Sequence, residues 1–94
     1  MTITGPITRC VTVANPNGLH MRPATRFAQA ARKFRATVEV RHDEKRADGK
    51  SAMELVFLIA MPGAELTITV EGDDAPTALE TLIEILTDPG TDEH

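Results

Sequence analysis

Tryptophan and tyrosine are absent from this 94-residue chain, and Phe27, Phe34 and Phe57 are its only aromatic residues. A single-stranded nucleic-acid binder needs aromatic stacking platforms, and a duplex binder needs a basic balance. Ten Lys and Arg against 14 Asp and Glu leave a net charge of -4 instead, so no nucleic-acid partner is expected. Cys10 is the only cysteine, and no internal disulfide can staple the fold. No apolar run approaches the roughly 20 residues of a membrane span. Residues 1–6 have neither the charged start nor the apolar stretch of a secretory signal. Membrane insertion is therefore not expected, and a cytoplasmic location is. Internal repeats are lacking too. What is present is a content of 41% hydrophobic and 26% charged residues, enough for one core and too apolar for a disordered chain. A single domain over residues 1–88 is expected, with residues 89–94 as a flexible polar tail.

Hydrophobic periodicity orders the elements. Residues 7–13 are rich in β-branched side chains and read as a strand, which the turn residues of Ala14-Asn15-Pro16-Asn17-Gly18 must stop. Ala24, Phe27, Ala28, Ala31 and Phe34 then recur at helical spacing, with Pro23 tolerated in the first turn. Val38 and Val40 alternate with Thr37, Glu39 and Arg41 in a half-buried strand. A tight turn over residues 42–45 leads to a short return strand ending near Asp48. Ser51 and Glu54 have the spacing of a reciprocal capping box. The helix they open is expected to carry residues 55–59 and to close at Pro62-Gly63. Leu66, Ile68 and Val70 form a fourth alternating strand. Asp73 and Asp74 then cap a last helix that buries Ala75, Ala78, Leu79, Leu82 and Leu86. The predicted fold is an α+β open-faced sandwich in the order β-α-β-β-α-β-α, with three helices on one face of an antiparallel sheet. Cys10 is expected as a small core or sheet residue.

Chemistry concentrates in Asn17-Gly18-Leu19-His20-Met21-Arg22-Pro23-Ala24. A histidine immediately before a helix lies over unpaired backbone N–H groups, which together form an anion site. Arg22 adds a cation that can fork onto phosphate oxygens. Such a site suits phosphoryl transfer to and from an imidazole nitrogen, the helix end and Arg22 stabilising charge on the equatorial oxygens. The competing reading is a surface histidine without a role. Gly49-Lys50-Ser51 is similar to the end of a nucleotide-binding P-loop, but Glu44 stands where that motif needs glycine. His42 and His94 are far in sequence from any ligand set, and no metal site is expected.

The segment from Gly18 to Ala24 resembles the phosphohistidine site of the HPr family, histidine-containing phosphocarriers of the bacterial phosphoenolpyruvate-dependent sugar phosphotransferase system. Lys50-Ser51-Ala52-Met53 looks like the second signature of that family, and Gly63-Ala64-Glu65-Leu66-Thr67-Ile68 resembles its last strand. Gly72 and the Ala78-Leu79 pair also fit, and no gap is needed from residue 8 to residue 87. The resemblance implies that His20 is phosphorylated through Nδ1 and that Arg22 contacts the phosphoryl group. Asn17, Gly18 and Met21 would shape the loop and helix start. Ser51 would be the regulatory serine. Met21, Arg26, Lys50 and Met53 would dock partners.

Those partners, by resemblance, are enzyme I of the phosphotransferase system as donor and EIIA-type domains as acceptors, with an HPr serine kinase/phosphorylase acting on Ser51. No cofactor is implied, the carrier is not itself an enzyme, and a monomer is expected. Met21 replaces the small residue or Thr of many members, Ala52 a larger aliphatic residue, and Glu54 a Gly found in several serine-regulated ones. The Ala52 and Glu54 departures weigh against Ser51 as a kinase substrate, and the alternative within the same fold is a regulatory relative, either a nitrogen-branch phosphocarrier or a serine-phosphorylated coregulator. The acids are expected away from His20, around Glu39, Glu65, Glu71 and the C-terminal helix and tail.

Overall fold

Alternating β-branched residues build the sheet, and the computed structural model, which describes residues 5–88, shows how it is covered. The elements are β1 (Ile7–Thr12), α1 (Met21–Arg32), β2 (Thr37–His42), β3 (Lys45–Asp48), α2 (Ala52–Val56), β4 (Glu65–Glu71) and α3 (Ala75–Leu86). This is the predicted order. The expected tail lies outside the described residues. The strands form one antiparallel sheet in the order β1-β4-β2-β3, so the last strand in sequence becomes central. Period two then sorts the faces. Val11, Val38, Val40, Ala47, Leu66, Ile68 and Val70 are buried on one side. Phe27 of α1, Leu55 of α2 and Leu82 of α3 cover them, each fully buried. The other face is open, and there the hydroxyls of Thr8 and Thr69 lie 3.2 Å apart.

Cys10 belongs to the sheet but not to the core. It is exposed on the open face with Sγ 3.7 Å from a Glu65 carboxylate oxygen. Partial desolvation, then the Glu65 charge and hydrogen bond, push the thiol up from its ordinary pKa, which suppresses the reactive thiolate.

The sequence reading needs correction at the ends of two helices. Of residues 55–59 the second helix carries only Leu55 and Val56. It stops at Val56, with Phe57 as its C-cap, and Ile59 takes a φ of +52°. An unbroken apolar run has no helical face, so only Leu55 and Leu58 are buried from it while Phe57 and Ile59 are exposed. Pro62-Gly63 therefore lies in the loop and closes no helix. The capping box is half made. Ser51 Oγ accepts the Glu54 N–H at 3.3 Å, but the Glu54 carboxylate accepts the N–H of Asp48 at 2.8 Å and leaves the Ser51 N–H to the Asp48 carbonyl.

Asp74 occupies the N-cap position of α3 without a side-chain cap bond. Its carboxylate instead accepts the N–H groups of Arg35 and Ala36 at 2.8 and 2.9 Å, and so fixes the connection between α1 and β2. The Arg35 bond, aided by that of Ala36 and opposed by desolvation, holds the carboxyl below the usual Asp pKa. A pKa lower in the folded than in the unfolded chain adds stability above the unfolded value and loses it as pH falls through the folded one. Asp74→Asn should therefore lower the urea midpoint at pH 7, and the gap to the parent protein should close as pH drops below about 4. A gap that stays constant with pH would refute this role for the charge.

Candidate functional site

His20 is placed by a loop whose backbone is bonded at almost every step. Beyond β1 the chain keeps pairing: the Val13 N–H donates to the Ala64 carbonyl at 2.9 Å, and the Gly63 N–H to Val13 at 3.0 Å. Ala14 donates to the Leu86 carbonyl at the end of α3, at 3.1 Å. Asn15 then makes the turn twice over. Its side-chain oxygen accepts the Asn17 N–H at 2.8 Å and its carbonyl accepts the Gly18 N–H at 2.9 Å. Gly18 has a φ of +75° and its Cα faces the Ala60 carbonyl so closely that a Cβ would collide with it. Leu19, buried, donates its N–H to the same Ala60 carbonyl at 2.9 Å.

This train of bonds delivers His20 to the N-cap of α1, with φ -89° and ψ -168°. Its carbonyl accepts the Ala24 N–H at 3.0 Å, the first bond of the helix. The imidazole is half-buried and makes no capping bond. Pro23 is buried in the first turn, where helix geometry requires no N–H. Met21 and Arg22 are exposed beside it. His20 at the N-cap, the first-turn amides and the exposed Arg22 thus belong to the same end of α1. Among the described residues no cluster of His, Cys, Asp or Glu could hold a metal ion. His42 uses Nδ1 to bond the Leu58 carbonyl at 2.9 Å. No described helix is long and apolar enough to cross a membrane.

The remaining candidates divide between the two ends of α1. That helix has 12 residues, roughly 18 Å of length. Arg26, one turn beyond Arg22, forms an ion pair of 3.5 Å with Asp88, so an acid does reach the His20 side from the end of α3. Glu39, Glu65 and Glu71 lie on the strands of the open sheet. Lys50 is at the other end. Its amino group donates to the Phe34 carbonyl at 3.0 Å, while Arg32 Nε donates to the Lys50 carbonyl at 2.8 Å. Ser51 caps α2 beside it, and Met53 is exposed on α2. Lys50 and Ser51 are thus not assembled with His20. Sequence reasoning missed the Ala60 carbonyl and the exposure of Phe57, Ile59 and Met61. The broken helical periodicity of residues 55–61 was the available signal.

Residues 7–88 match the profile of the family described as PTS HPr component phosphorylation site. The chain belongs to the HPr family. It is 39% identical to phosphocarrier protein HPr of Lysinibacillus sphaericus over 83 residues, which is 88% of this chain and 94% of that protein. A crystal structure of HPr from Bacillus anthracis superposes with a TM-score of 0.82 at 38% identity, covering 86% of this chain and 96% of that one. Similarity also extends to a multiphosphoryl transfer protein of Xanthomonas campestris, 45% identical over 71 residues, where the match spans 76% of this chain and 8% of the larger protein. The HPr fold thus places the segment with His20 where the Asn15 turn and the Ala60 carbonyl hold it. Gly18→Ala adds a Cβ at positive φ against that carbonyl, and should cost about 1–3 kcal/mol in urea unfolding. A loss below about 0.5 kcal/mol, the range of neutral surface changes, would show that the loop is not held as described.

Proposed function

We propose that this protein is a phosphocarrier in which His20 receives a phosphoryl group from a phosphohistidine of enzyme I and passes it to an EIIA-type acceptor domain. The observation that carries this reading is an imidazole free of capping duty at the N-cap of α1, flanked by Arg22. Nδ1 of neutral His20 attacks phosphorus and forms the new N–P bond. The donor's N–P bond breaks, and its ring nitrogen keeps the electron pair. The Nε2 proton of His20 stays in place throughout. One phosphoimidazole replaces another, so catalysis consists of aligning the two rings and stabilising charge on the three equatorial oxygens. First-turn amides of α1 and Arg22 serve the second task. The partner supplies the alignment, which makes this chain a carrier and not a catalyst. Asn17 and Gly18 set the loop, and Met21 covers the approach to the ring.

The partners named and a cytoplasmic setting belong to this reading. Ser51 is read as the cap of α2, because its hydroxyl is engaged by the Glu54 N–H. Nothing in that arrangement favours the regulatory alternative over the carrier. Incubation with phosphoenolpyruvate and enzyme I should add one acid-labile phosphate, seen by intact mass. His20→Ala should abolish it, and Arg22→Ala should slow transfer roughly a hundredfold with the fold intact. No phosphate on the parent protein, or phosphate retained by His20→Ala, would contradict the proposal.

A further inference from the structure

Leu58 is buried just past the end of α2. Helical pairing would bring its carbonyl the N–H of residue 62, but that residue is Pro62 and has none. A buried carbonyl needs a donor, and here a side chain from another element supplies it. Nδ1 of His42, at the end of β2, donates to it at 2.9 Å. A carbonyl only accepts, so the proton is on Nδ1. The His42 side chain is 20% exposed, with Nε2 3.8 Å from the Asp43 carboxylate. The bond thus joins the β2–β3 hairpin to the loop after α2, beside an open hollow that Glu44, Lys45 and Ile59 also line.

Backbone strain lies next to this bond on both sides. Among the described residues only two other than glycine have positive φ, Asp43 at 57° and Ile59 at 52°. Each directly follows one partner of the bond. Aspartate in a turn tolerates that region, whereas a β-branched side chain collides there with its own backbone. Ile59 is 61% exposed and gains no burial in return. Its conformation is therefore imposed by what holds its neighbours. The Leu58 carbonyl is held by His42 and the Ala60 carbonyl by the Leu19 N–H, each at 2.9 Å, while the Ile59 N–H donates to Val56 at 3.1 Å. Freeing Leu58 lets Ile59 leave the left-handed region, and that rotation carries the Ala60 carbonyl away from Leu19.

We propose that His42 is a positioning residue for His20, acting through the carbonyls of Leu58 and Ala60. The Nδ1–H bond fixes Leu58, the strained Ile59 transmits that constraint, and Ala60 holds Leu19 immediately before His20. An imidazole that meets phosphorus in line loses rate steeply when its approach shifts by about an ångström. The effect on phosphoryl transfer rests on the phosphocarrier reading, whereas the coupling of His42 to Leu19 does not.

The test compares the parent protein with His42→Leu, which cannot donate, and His42→Asn, whose amide nitrogen takes the place of Nδ1. Amide exchange is followed at Leu19 and, as a control for global stability, at Ile68 in the central strand. Phosphorylation by enzyme I and phosphoenolpyruvate is timed in parallel. His42→Leu should speed exchange at Leu19 about tenfold relative to Ile68, and lower kcat/KM for phosphorylation about tenfold. His42→Asn should bring both back to within about twofold of the parent. In alkaline buffer the ring nitrogen chemical shifts of the parent should place the His42 proton on Nδ1. A proton on Nε2, equal acceleration of Leu19 and Ile68, or no rescue by His42→Asn would overturn the proposal. If exchange responds as expected but the parent is not phosphorylated, the coupling stands and the phosphocarrier reading falls. Normal phosphorylation of the parent, with exchange and rate unchanged in both variants, removes the role of His42 alone.

Discussion

One backbone hydrogen bond, from the Leu19 N–H to the Ala60 carbonyl at 2.9 Å, joins the loop before α1 to the loop after α2. On one side it fixes the segment that presents His20 at the start of α1. On the other it fixes the loop that follows α2, where Ile59 and Met61 are exposed. The bond is possible only because Gly18, at φ +75°, has no Cβ to keep the Ala60 carbonyl away. A buried backbone donor left unmatched here would cost about 1–3 kcal/mol, a large share of the stability of a domain this small. The core supports the same pair from beneath through buried Leu19, Leu55 and Leu58.

The fold was legible because the strands alternate cleanly. Val38 with Val40, and Leu66 with Ile68 and Val70, determine which face is inward, and Ala78, Leu79 and Leu82 determine the buried side of α3. The position of His20 and Arg22 at the start of α1 was legible because turn residues stop β1 before them and Pro23 suits a first helical turn. Three features were not legible. The apolar run from residue 55 gives no periodicity, so the end of α2 at Val56 had to come from tertiary structure. Asp74 and Glu54 have the sequence pattern of caps, but their carboxylates find backbone N–H groups distant in sequence, at Arg35, Ala36 and Asp48. Lys50 looks like a docking cation, yet it is drawn to the Phe34 carbonyl. For Asp74 and Glu54 the local pattern was correct about residue type and wrong about the hydrogen-bond partner, because backbone groups elsewhere in the fold compete with neighbours in sequence.

Charge is arranged to match this division. The chain carries a net charge of -4, while α1 has only basic charged residues. Asp88 tempers that helix by pairing with Arg26 at a distance of 3.5 Å. Both residues are half-buried in that pair, which offsets part of the positive charge of α1.

The central claim is that the Ala60 carbonyl holds the His20 loop in place, and amide hydrogen exchange at Leu19 reads that bond directly. The Leu19 amide should exchange about a hundredfold or more slower than in an unstructured peptide. Exchange of Leu19 at the peptide rate, with the amides of β1 and β4 still protected, would contradict it.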